Sequence, residues 1–157
     1  LAESGLYLAA RELALRRALQ ADSAEARAFA ERLTPYHLML EPDSARVRAA
    51  WAATLAELEA LVAWCRAHAR PFALVVCPYA LQLERPEMDA PQQVLARFAS
   101  AHALPFVDLL PALARAAREP GRTTQSLFLD GVHPSALGHA LAAREVARAL
   151  QEQGVLR

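Results

Sequence analysis

Apolar residues recur at helical spacing along most of this chain, and only a few short stretches break the pattern. Ser4 to Gln20 (SGLYLAARELALRRALQ) carries apolar positions at three- and four-residue steps, with Ser4 placed to cap a helix. Asp22 or Ser23 can cap a second, shorter helix running to about Leu33. TPYHLMLEPDS holds two prolines and no period, which predicts a loop. From Ser44 a long helix is expected to about His68. Its apolar face is Val47, Trp51, Leu55, Leu58, Leu61, Val62 and Cys65.

After Arg70 the pattern changes. PFALVVCP is a short, continuously apolar run bounded by prolines, which suits a strand buried on both faces. YALQLERPEMDAP reads as a polar loop, and Pro91 to His102 as a helix. A second strand is expected over Pro105 to Val107, ending at Asp108. Pro111 then falls in the first turn of the next helix, where its missing N–H costs little. A loop around REPGRTTQ leads to the strand-like run SLFL, the turn DGVHPS and a last helix. Strand, helix, strand, helix predicts a right-handed βαβ unit with parallel strands. Two strands form too narrow a sheet to bury this many apolar helices. The chain therefore reads as a single domain over residues 1–157 that is the second half of a larger α/β domain.

Composition narrows the reading. Of 157 residues 55% are hydrophobic and 22% charged, so the chain can bury a core and is not a disordered sequence. A formal net charge of 0 gives no basic footprint for nucleic acid. No run approaches the ~18 uninterrupted apolar residues of a membrane span. Lys, Asn and Ile are absent while Ala and Arg abound, the mark of a GC-rich coding sequence, so the Arg excess carries no functional weight. The first residue is Leu1, not Met, and no signal peptide follows, so a fragment or a processed product is expected. Cys65 and Cys77, both in apolar surroundings, read as two buried free thiols more readily than as a disulfide. Nothing here fixes the compartment or the oligomeric state.

The candidate chemistry lies in the turn before the last helix. Asp130 and His133 follow an apolar run and precede a helix, where open α/β sheets carry their reacting groups. Ser135 can cap the helix, Pro134 delays its start, and Gly131 supplies a turn. Gly138 allows the first helical turn to approach another backbone closely. Asp130 could then accept the Nδ1 proton of His133, the pairing that a general base requires. A turn Asp beside a surface His would also give the D-x-x-H spacing.

The longer string LFLDGVHPSALGHALAAREVARAL resembles the last conserved block of the SGNH, or GDSL-type, serine hydrolases. Asp130, Val132, His133, Pro134, Ser135, Gly138 and His139 match that block. The upstream segments SGLY, FALVVCP and LPFVDLLPAL follow in the family's order. The resemblance implies a three-layer α/β/α, flavodoxin-like parallel sheet, present as its C-terminal part with few strands and many helices. It implies Asp130 and His133 as the catalytic Asp and His, and an ester-hydrolysing Ser-His-Asp mechanism without a cofactor. The substrate would be a small-molecule, carbohydrate or lipid ester, such as an acyl or acetyl ester.

The family's nucleophile is the Ser of a G-D-S stretch, and this chain has none. Its six serines are Ser4, Ser23, Ser44, Ser100, Ser126 and Ser135. The family's oxyanion Asn is also missing from a chain without Asn. The nucleophile is therefore expected outside this chain. The alternative is a catalytically inactive relative or fragment serving as a binding module, and a third reading is an unrelated small α/β domain with a structural turn.

Other candidates have plainer readings. Asp108 is expected to cap the helix over LLPALARAA rather than to react. His139 could line a cleft, but fits a place on the helix face. A metal held by Asp130, His133 and His139 lacks a further converging ligand in the sequence. His37, His68 and His102 read as surface or loop residues, and Trp51 and Trp64 as core or helix-packing residues. Tyr79 fits either a cleft wall or packing under a loop.

Overall fold

The structure, a computed structural model, describes residues 37–156, with side chains from Leu38 onward. The helices expected over Ser4–Gln20 and up to Leu33 lie outside the described residues. In chain order the elements are α1 (His37–Leu40), α2 (Ala45–Ala67), β1 (Leu74–Val76), α3 (Ala80–Glu84), α4 (Ala90–Ala101), β2 (Phe106–Asp108), α5 (Leu110–Ala117), α6 (Thr124–Leu127) and α7 (Ala136–Glu152). This is a mixed α/β fold, mostly helical, with a small parallel sheet: an incomplete fold of the flavodoxin-like kind.

β1 and β2 pair in parallel, with Leu74 opposite Phe106, Val75 opposite Val107 and Val76 opposite Asp108. The chain passes between them through α3 and α4, giving the expected strand–helix–strand unit. α4 packs against both strands, and α7 packs against β2, α5 and α6. The core gathers where α3, β2, α5, α6 and α7 meet. Leu83, Val107, Leu110, Leu113, Leu127 and Phe128 are buried there, and Leu141, Val146 and Leu150 of α7 close over them.

The long helix has the expected bounds because its first cap is a side chain the sequence displays. Ser44 Oγ accepts the Val47 N–H at 3.2 Å. Its end is less conventional: Ala69, at φ 50°, adopts the left-handed conformation usually given to Gly. The Arg70 N–H reaches back to Cys65 O at 2.8 Å, closing the last turn. α4 ends the same way, with Ala103 at φ 49° and the Leu104 N–H on Ala99 O.

Several expectations are corrected. Only Val47, Val62 and Cys65 of the long helix are buried. Leu61 is exposed, and Trp64 is 54% exposed with its ring stacked on His68 at 4.3 Å rather than in the core. β1 is not buried on both faces, since Val75 is exposed. Cys65 is a buried free thiol, whereas Cys77 is exposed. The segment HLML forms the single turn α1, not a loop. The stretch after Tyr79 begins as α3, because Gln82 Oε1 accepts the Tyr79 N–H at 2.9 Å and starts a helical turn. The run SLFL is not a strand. Thr123 and Ser126 form a reciprocal capping box that folds Thr124–Leu127 into α6.

Candidate active site

Residues 128–135 form a tight loop between α6 and α7. Phe128 and Pro134 make an antiparallel bridge, in which the Leu129 N–H donates to His133 O and the Ser135 N–H to Leu127 O, both at 2.8 Å. Ser135 Oγ accepts the Gly138 N–H at 3.1 Å, so it caps α7 as its position in the sequence implies. The same hydroxyl donates to Ser126 O at 2.7 Å, tying both ends of the loop together. The Gly131 carbonyl accepts the Ala80 N–H at 3.0 Å. That bond fastens the loop to the segment leaving the carboxyl end of β1.

Gly138 provides the close approach that its position suggested. A Cβ there would lie 2.1 Å from Leu127 O, inside the van der Waals envelope of a backbone atom. α7 can therefore rest directly on the end of α6 only with Gly at this position.

On this frame Asp130 and His133 meet. The His133 Nδ1–H donates to Asp130 Oδ2 at 2.8 Å. Asp130 Oδ1 accepts the backbone N–H groups of Val132 and His133, each at 2.7 Å. Partial burial pushes the Asp130 carboxyl up, but the hydrogen bonds from the His133 ring and from the two backbone amides outweigh it. The carboxyl is held below its ordinary value and stays ionised at neutral pH. With the proton fixed on Nδ1, a neutral His133 presents Nε2 as a base. The ring is 75% exposed, so Nε2 is open to a reacting group. Leu129, Val132 and Leu137 leave exposed apolar surface around this loop.

The Asp130 carboxylate has a stability consequence with a definite sign. Its folded value lies below the ordinary 3.8, so its contribution is present above that pH and lost as pH falls through the folded value. Asp130→Asn is expected to lower the urea midpoint at neutral pH. That difference should shrink in a parallel series below pH 3.8; an unchanged difference at acid pH would contradict it.

The other sequence candidates do not join this pair. Asp108 does serve the start of α5, but from one residue before the cap: its Oδ1 accepts the Leu110 N–H at 2.9 Å, and Leu109 is the cap residue. Burial raises its carboxyl, with the Leu110 amide opposing and Asp89 adding to the rise. His139 is exposed on α7. His68 Nδ1 lies 2.8 Å from Trp64 O at the end of α2. His102 is partly buried against Phe98, with its Nε2 3.8 Å from Glu59. Tyr79 is half-buried at the start of α3. The side chain of His37 lies outside the described residues. Among the described residues no group of three or more His, Cys, Asp or Glu side chains converges on a metal-sized site.

Sequence reasoning missed the support beneath the loop. Gln82 and Gln92, 1% and 4% exposed, form a reciprocal amide pair. Gln82 also binds Met88 O and the Tyr79 N–H. The pair fixes the turn that presents the Ala80 N–H to Gly131. A Gln three residues after Tyr79 was the available signal, since that is the capping-box position.

A parallel sheet with helices packed on it, and a His–Asp pair on the loop before the last helix, defines part of an α/β domain with acid–base capacity. Residues 23–141 match the model of the GDSL-like Lipase/Acylhydrolase family, and the chain belongs to that family. The match includes Asp130 and His133. No curated protein and no solved structure matches the chain. Membership brings a general esterase or acylhydrolase chemistry, with small-molecule esters as the class of substrate. No helix among the described residues is long and apolar enough to cross a membrane.

Proposed function

We propose that Asp130 and His133 are the acid–base half of a Ser-His-Asp ester hydrolase whose Ser lies outside this chain. Residues 1–157 would then be one unit, the C-terminal portion of a larger hydrolase domain. The observation that carries this reading is the 2.8 Å Nδ1–H···Oδ2 bond, which orients the ring and leaves Nε2 open. In the reaction, Nε2 takes the Ser proton as the hydroxyl attacks the acyl carbonyl. His133 then returns that proton to the leaving alcohol, while Asp130 stabilises the imidazolium between the two steps. The exposed Leu129, Val132 and Leu137 would offer apolar surface to the acyl or alcohol part of the ester.

Three of the four serines among the described residues are held in structural hydrogen bonds, in keeping with a nucleophile from elsewhere. Ser44 and Ser135 cap helices, and Ser126 donates to Thr123 O at 2.7 Å. The chain alone is therefore expected to hydrolyse p-nitrophenyl acetate no faster than its His133→Ala variant. Supplying a polypeptide that carries a G-D-S stretch should produce turnover that the His133→Ala chain cannot support. His133-dependent turnover by the isolated chain would place the nucleophile within it and overturn the reading. The second reading is an inactive binding module, favoured by the absence of both G-D-S and Asn. Failure of complementation with a correctly folded chain would select it.

A further inference from the structure

The apolar face of α2 is incompletely covered along its first half. Arg48, Trp51 and Leu55 stand at three- and four-residue steps, so they share one face of the helix. Val47 beside them is fully buried, yet Trp51 and Leu55 are only partly so. On α4, Ala90, Val94 and Arg97 share a face by the same spacing. These two faces, with Asp43 from the turn before α2, line a cavity of about 570 Å³. A volume of this size suits a small organic ligand. No residue of the Asp130–His133 loop lines it. Its wall is apolar with charge set into it: Trp51, Leu55 and Val94 supply the apolar part, and two arginines stand against one acid, Asp43. Arg48 is engaged, its Nη1 donating to the main-chain oxygen of Asp43. The Arg97 guanidinium has neither an ion pair nor a hydrogen bond among the described residues.

We propose that this cavity binds an organic carboxylate with an apolar tail, the carboxylate on Arg97 and the tail over Trp51, Leu55 and Val94. A guanidinium offers a carboxylate two parallel N–H donors, and such charge-assisted bonds are stronger than neutral ones. The tail gains by leaving water against apolar side chains that no other part of the described chain covers fully. A tail without the charge forgoes the first gain, and a charge without a tail forgoes the second. A polyanion fits less well, because the Asp43 carboxylate shares the wall and repels each further negative charge. Hydrolysis of an acyl ester releases a carboxylate of this class, so the site suits a product of the family's chemistry. Binding here does not depend on the function proposed above, since the Asp130–His133 loop contributes nothing to the wall.

NMR titration of the 157-residue chain with sodium octanoate tests the site. The Trp51 indole N–H resonance is expected to shift and saturate. That of Trp64, about 20 Å farther along α2 at 1.5 Å per residue, should stay in place. Octanamide has the same tail and no charge, and sodium acetate the charge and no tail. Each should bind at least about tenfold more weakly than octanoate. Arg97→Gln should weaken octanoate by roughly tenfold or more and keep the helical circular dichroism, because Arg97 is exposed. Arg97→Lys restores the charge without the planar fork and should recover part of that loss. His133→Ala should bind octanoate as the wild type does, which separates this site from the hydrolase reading. Octanamide binding as tightly as octanoate, or an Arg97→Gln chain that binds unchanged, would overturn the proposal. So would an unmoved Trp51 resonance, or equal shifts at Trp51 and Trp64, the sign of unspecific adsorption. Shifts at His133 in place of Trp51 would overturn it too, by putting the ligand on the Asp130–His133 loop.

Discussion

Gly138→Ala is expected to destabilise the chain by about 3 kcal/mol and to release the Asp130–His133 loop with it. The new methyl would sit 2.1 Å from Leu127 O and 3.1 Å from the Pro134 Cβ. The nearer atom is backbone and cannot step aside by a rotamer change. α7 must therefore lift off α6, and Ser135 moves with it. That shift strains the bond of the Ser135 N–H to Leu127 O, which closes one end of the loop. Urea unfolding measures the stability, and the His133 Nδ1–H resonance reports the pair. Gly121→Ala is the control. Its φ of +77° disfavours a side chain, but nothing lies within 4 Å of the added Cβ. A cost of about 1 kcal/mol with the pair intact is expected there. Equal effects from the two substitutions would mean that close approach at Gly138 does not hold the loop.

The second large effect is expected at Gln82. Gln82→Leu keeps the bulk but strips Met88 O, the Gln92 amide and the Tyr79 N–H of a partner in a nearly dry site. Each buried polar group left unpaired costs about 1–3 kcal/mol, so a loss of roughly 3 kcal/mol in urea unfolding follows. Adding Gln92→Leu removes one of the stranded groups together with its need for a partner. The double variant should therefore lose less than the sum of the single variants. Strict additivity would show that the two amides do not act as a pair. The same substitution should loosen the Ala80 N–H from Gly131 and speed its exchange with solvent.

Helix limits and the Asp130–His133 loop were readable for related reasons. Ser44 and Ser135 are capping residues whose partners lie three positions on, so local sequence carries the whole interaction. Asp130 and His133 are equally close, and their hydrogen bond needs only the turn between them. α6 was misread because apolar SLFL resembles a strand, while the Thr123–Ser126 box that makes it helical uses two small polar residues. Leu61 was misplaced because helical periodicity identifies a face without saying what covers it.

The sequence by itself determined the βαβ order, the start of α2 and of α7, the Asp130–His133 spacing and the need for Gly at 138. These are interactions between residues a few positions apart, or a steric demand on one backbone atom. Only the tertiary structure decided that Gln153 accepts the Phe106 N–H across 47 positions of chain. It also decided that Gln82 meets Gln92 in the dry interior, and that Ala80 holds Gly131. Those pairings join polar groups far apart in sequence, and no periodicity records them. Chain packing brings them together, and for Gln82 and Gln92 burial makes the hydrogen bonds obligatory.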